Sequence, residues 1–248
     1  MGAFVRVPQA FTLAAAIVLW ELVARTLRPS WLPPADAVAG AFARLVSGGQ
    51  LADLASTART LVIGLAIVFV AGGVVAIAIG LSSTLREALE PYMNAALAIP
   101  TVALAPAYIL IWGLSDITRV ATVVSFAFAP LVVQWAAASR GLPSELLEMA
   151  RSYDASRLRL LSSVVLPAAA PVLITGVRIA VVQGMKGVVS AEILIGVIGI
   201  GRLLQTAILT FDLARLYAVI LTLMIVTFGV HLGLERLERR ASRRTAGD

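Results

Sequence analysis

Three polar side chains, Gln183, Lys186 and Ser190, interrupt a long apolar run at spacings of three and four, which places them on one face of a helix. An ionisable group inside a membrane-length segment usually faces a cavity or a partner, because hydrocarbon does not solvate its charge. Lys186 is the only lysine of the chain. On this face it can attract an anion, and the stripe then reads as the lining of a translocation path. The other readings are a lysine that snorkels to the outer headgroups or one that pairs with a carboxylate such as Glu21. Glu192 lies six residues further on, about 240° around the helix, so it is not a neighbour on that face. The second polar constellation is ELLEMARSYDASRLRLLSSVVLP, residues 145–167, lodged between long apolar runs. Such a segment must leave the bilayer, since each ionised side chain at the centre of a spanning helix costs roughly 2.5–3.5 kcal/mol on insertion scales.

Other chemistries lack their residues. The chain has no cysteine and one histidine, His231, which removes a disulfide framework and a thiolate metal site and leaves no basis for a histidine one. No Ser/His/Asp or paired-carboxylate arrangement is credible around a single histidine at a membrane exit. Gly184-Met185-Lys186-Gly187 lacks the order of a phosphate-cradling loop, and Gly199-Ile200-Gly201 lacks the later glycine of a dinucleotide turn. The chain is therefore expected not to be catalytic itself and to hold no cofactor or metal.

The elements that position these groups follow from composition. The 248 residues are 60% hydrophobic and the mean hydropathy is +0.94, well above the roughly 45–50% apolar content of soluble domains. A hydrocarbon core of about 30 Å needs roughly 20 apolar residues as helix. Six segments qualify: 10–27, 58–81, 93–113, 117–138, 164–190 and 216–234. Residues 35–47 read as an amphipathic surface helix after Trp31-Leu32-Pro33-Pro34. Residues 191–201, broken by Gly196, Gly199 and Gly201, read as a turn and a re-entrant piece, followed by a short helix over 203–213. Gly72, Ala76 and Gly80 lie four apart on one face of the second span. Small residues at that spacing admit close helix packing, either within the chain or against a second copy.

With the N-terminus inside, eleven arginines fall on the cytoplasmic side and seven on the outer side. The positive-inside rule then puts both termini in the cytoplasm, and the net charge of +6 reflects basic loops rather than nucleic-acid binding. The whole chain, 1–248, reads as one transmembrane domain with a core at 53–240, a cytoplasmic insert at 144–163 and a frayed tail at 241–248. In the insert, Ser144 can cap a first helix whose opening turns carry Glu145 and Glu148, favourable to the helix dipole. Asp154 can end it and cap a second helix that begins at Ala155.

The order Glu148-Met149-Ala150, then Asp154, then Leu166-Pro167 resembles the EAA loop of ABC-transporter permease subunits. There it runs Glu-Ala-Ala, a short spacer, Gly, about nine residues, then Ile/Val-x-Leu-Pro. Leu32-Pro33-Pro34, Ala98-Ile99-Pro100 with Pro106, Thr175-Gly176-Val177-Arg178, Glu192 and Gly199-Ile200-Gly201 extend the resemblance over 31–240, closest to the nitrate/sulfonate/taurine-type permeases. The family carries Gly where this chain has Asp154, a residue that also tolerates the left-handed turn at modest cost, and Ala where it has Met149.

The resemblance implies an all-α integral membrane protein with six transmembrane helices, the type I ABC importer permease fold and a cytoplasmic coupling-helix insert. Glu145, Glu148, Met149, Ala150, Asp154, Leu166 and Pro167 would form the ATPase-coupling site. It also implies a second copy of the permease as a homodimer, two ATPase subunits that carry the ATP and Mg, an external or periplasmic substrate-binding protein, and residence in a bacterial inner membrane. The transported solute is expected to be small, with Lys186 tilting the expectation toward an anion. An ATP-independent secondary transporter or channel is the alternative; it predicts inverted repeats and intramembrane proton-relay carboxylates, and neither is visible. A membrane scaffold without transport would not need spans broken by Pro100, Pro106 and Pro130.

Overall fold

The structure is a computed structural model and describes residues 6–48, 50–138 and 166–245. Its elements are α1 Arg6–Thr26, α2 Ala35–Ser47, α3 Leu51–Leu81, α4 Ser83–Ala98, α5 Leu104–Trp112, α6 Asp116–Ala138, α7 Leu166–Ile195, α8 Ile200–Leu209 and α9 Leu213–Thr245, with a 3₁₀ turn at Thr101–Ala103. Helices are the only way an open chain satisfies its backbone polar groups in lipid, and no strand occurs among the described residues.

Four helical stretches are long and apolar enough to cross a bilayer: Ala52–Gly80, Asp116–Ala137, Ala169–Ile195 and Leu213–Arg236. The bent pair Ser83–Ala98 and Thr101–Trp112 makes a fifth if it is one span. The first expected span, 10–27, coincides with α1, which lies outside that set. The expected third span, 93–113, is not one helix: the chain turns by 83° between its halves. Pro100 is the cause. It has no N–H to donate, and it forces Ile99 out of the helical region to φ −72°, ψ 129°.

Several boundaries differ from expectation. The second span starts seven residues early, at Leu51 rather than Ala58. The fifth runs on through Glu192 to Ile195, and the short helix follows at Ile200–Leu209 rather than 203–213. α9 continues to Thr245, into the stretch expected as a frayed tail.

The centre of the bundle is α7 against α6 and α3. Leu65, Val68, Ala127, Leu131 and Ala180 form its buried core. Gly72 is buried with Leu131 and Val132 of α6 where a side chain would stand, Ala76 is buried on the same face, and Gly80 is half-buried, so the upper part of this small-residue stripe packs within the chain. A separate cluster joins α2, α8 and α9 through Val38, Ala41, Leu45, Leu203, Leu204, Ala218 and Val219. The amphipathic pattern of α2 puts its buried residues three and four apart. Trp20 of α1 stacks edge-on to Tyr217 at 5.5 Å and donates its indole N–H to the Pro33 carbonyl at 2.9 Å.

α7 packs tightly on α6 at Gly176. A Cβ there would lie 2.5 Å from the Trp135 ring. That ring cannot retreat, because its Nε1 donates to the Leu173 carbonyl at 2.9 Å and it stacks on Phe69 at 6.2 Å. Gly176→Ala is expected to cost about 1–3 kcal/mol by overpacking; an unfolding midpoint in detergent equal to that of the unaltered protein would refute the close contact.

Candidate functional site

At the end of the bundle where α7 closes and α3, α6 and α8 begin, charged groups are buried in a single knot. Glu192 is fully buried and Arg119 is 2% exposed. Arg119 Nη2 donates to Glu192 Oε1 at 2.8 Å and to Ser56 Oγ at 2.9 Å, and its Nη1 donates to Asp116 Oδ1 at 2.7 Å. Thr57 Oγ1 donates to the Glu192 carboxylate at 2.8 Å from Oε2. Nearer the surface, Arg202 Nη2 donates to Asp53 Oδ2 at 2.6 Å. That hydrogen bond raises the Arg202 guanidinium above the ordinary arginine range, so it is a fixed positive charge.

The knot also caps α8. The first N–H groups of a helix have no partner within it. Here Gly199 N–H is accepted by Asp53 at 3.0 Å, Ile200 N–H by Thr57 at 3.0 Å and Gly201 N–H by Glu192 at 3.2 Å. Three side chains from two other helices thus hold one short helix against the bundle. Glu192 and the Gly199-Ile200-Gly201 turn stand out in the sequence only as separate points of family resemblance, and Asp53, Ser56, Thr57, Arg119 and Arg202 do not stand out as site residues. A signal existed: an arginine and an aspartate at the ends of apolar runs need counter-charges.

The stripe on α7 behaves differently. Gln183 and Ser190 are half-buried and Lys186 is exposed; from Ala169 to Ile193 Lys186 is the one exposed residue of this helix. The carboxylate expected as a counter-charge, Glu21, is engaged elsewhere, and so is Glu192 of the same helix. Glu21 accepts the Ala35 N–H at 2.8 Å and pairs with Arg25, while Glu192 belongs to the knot. The pairing of Lys186 with Glu21 is therefore not made, and no described residue forms an ion pair with it.

Of the expected coupling residues, Glu145, Glu148, Met149, Ala150 and Asp154 lie outside the described residues. Leu166 and Pro167 are the first two residues of α7, where a proline costs little because its missing N–H would have no helical partner. The insert thus leaves from α6 and returns into α7.

A multi-helix bundle with a broken span, a charged knot at one end and a polar insert between its two central helices is the architecture of a polytopic membrane protein. The profile of the family described as binding-protein-dependent transport system inner membrane component matches residues 68–243, and the chain belongs to that family. It is the membrane-spanning permease subunit of an ABC importer, a class that works with an ATPase and a binding protein; this membership sets aside the ATP-independent alternative.

Among its relatives is the taurine transport system permease protein TauC of Escherichia coli (strain K12), 29% identical over 92% of this chain and 86% of that protein. The riboflavin transport system permease protein RibX of Chloroflexus aurantiacus is 36% identical over 62% of this chain and 58% of that protein. In fold, a chain of the inward-facing MetNI methionine ABC transporter superposes with a TM-score of 0.65 at 18% identity, covering 79% of this chain and 96% of that one.

Proposed function

We propose that two copies of this chain form the translocation path of an ATP-driven importer, with the 144–163 insert of each copy seated in one of two ATPase subunits. Both termini and the insert face the cytoplasm, ATP and Mg are bound by the ATPases, and an external binding protein delivers the solute on the knot side. Gln183, Lys186 and Ser190 line the path. The relatives' names carry two chemically different solutes, taurine and riboflavin, so kinship alone leaves the solute open.

The observation that carries the reading is the connectivity of α6 and α7. They join the two ends of the insert, pack against each other at Gly176 and Gly187, and are bonded at their far ends by Arg119 and Glu192. A push on the insert therefore reaches the whole thickness of the bundle through one stiff helix pair. Movement transmitted through packed, rigid elements is how coupling travels.

Deleting 152–159 tests this. The shortened chain is expected to remain in the membrane with an unchanged unfolding midpoint, to lose its copurifying ATPase, and to lose ATP-driven uptake in reconstituted vesicles. Retention of the ATPase by the deletion variant, or solute movement by this polypeptide alone, would remove the proposal.

A further inference from the structure

We infer that Lys186 selects the charge of the transported solute, acting as the cationic rung that pairs with the sulfonate or carboxylate group of a small organic anion on its way through the path. The inference rests on the path reading above. Three observations lead to it. Between Ala169 and Ile193 every residue of α7 is at least half-buried except Lys186, which is exposed. The carboxylates that would neutralise a buried lysine are already bonded, Glu21 to Arg25 and Ala35 and Glu192 to Arg119, Thr57 and Gly201. Finally, Lys186 is nine residues before the end of α7 at Ile195, about 13 Å along the axis, and so inside the stretch Ala169–Ile195 that is long and apolar enough to cross a bilayer.

A lone ammonium at that depth is stable where water and a mobile anion supply what the protein does not. The flanking Gln183 and Ser190, one turn to either side, offer neutral donors that can replace part of the anion's hydration without holding it. One unpaired positive charge favours passage of an anion because binding stays transient; conduction requires a site that admits the solute and lets it leave.

The chain contains no cysteine, so single cysteines can be placed in an otherwise unreactive permease. Gln183→Cys and Ser190→Cys, each in the assembled transporter in nanodiscs, would be reacted with anionic sulfonatoethyl methanethiosulfonate and with cationic trimethylammonioethyl methanethiosulfonate. The readout is the ratio of the two rates, followed by the mass of the permease. With Lys186 in place both cysteines are expected to react, with the ratio favouring the anionic reagent. Adding Lys186→Met should lower that ratio roughly tenfold, as expected for removing a unit charge several ångströms away in a partly hydrated site. Lys186→Arg should keep it high, since the charge is kept.

An unchanged ratio on Lys186→Met with both cysteines still reactive overturns the inference and leaves the path in place. If neither cysteine reacts, the face is covered by lipid, Lys186 snorkels, and the path reading fails together with the inference.

Discussion

Glu192→Ala is expected to lower the stability of the folded permease by about 3–5 kcal/mol, the range found when one partner of a buried ion pair is removed. The loss is mostly the stranding of what remains. Arg119 stays 2% exposed with only the largely exposed Asp116 left as a counter-charge, Thr57 loses the acceptor at 2.8 Å, and the Gly201 N–H loses the one at 3.2 Å. Domain stabilities are only about 5–15 kcal/mol, so most of the chain should fail to accumulate in the membrane. Glu192→Gln keeps an acceptor for Thr57 and Gly201 and should fall between the two. The double change Glu192→Met, Arg119→Met should recover much of the loss, because apolar replacement of a whole buried pair is often neutral or stabilising. Membrane level and unfolding midpoint in detergent measure all three; a Glu192→Ala protein as stable as the unaltered one would show that the knot contributes nothing.

The reason the sequence did not disclose this knot is specific. Spanning helices are legible because apolar length is a property of one local window, and α3, α6, α7 and α9 are found where such windows lie. The amphipathic face of α2 is legible for the same reason, through its spacing. The end of α7 was misplaced because Glu192, with three glycines after it, reads locally as a departure from lipid. Its helix continues because a counter-charge 73 residues away removes the penalty, and no window contains both residues. The same holds for Lys186: its isolation is a fact about Glu21 and Glu192 being bonded elsewhere, which sequence spacing cannot state. The bend at Pro100 is half legible: the proline is plain in the sequence, but apolar length alone carries a span through it. Family resemblance supplied the insert, whose polar residues fix only that it leaves the bilayer.

Gly199→Ala should be nearly as damaging as losing Glu192, through the same group. Gly199 has φ +90° and ψ −175°, a region open essentially to glycine alone and costing about 1–3 kcal/mol when another residue is forced into it. An added Cβ would also stand 2.3 Å from the Glu192 carboxylate and drive it off Arg119 and Thr57. Two damages that share a target do not add. In a double-mutant cycle, Gly199→Ala placed on Glu192→Ala should cost only the backbone strain, because the obstructing carboxylate is gone.

Gly201→Ala provides the contrast. Its Cβ would meet the Cβ and carbonyl carbon of Glu192 and the backbone nitrogen of Ile193, at 2.3–2.4 Å, and an alanine at position 192 retains all three atoms. Glu192→Ala should therefore relieve Gly199→Ala and leave Gly201→Ala unrelieved. Unfolding midpoints of the two double mutants against their singles decide it. Equal relief at both positions would mean that the turn shifts as a body instead of being clamped around the Glu192 side chain, and the rigid capping of α8 by the knot would be wrong.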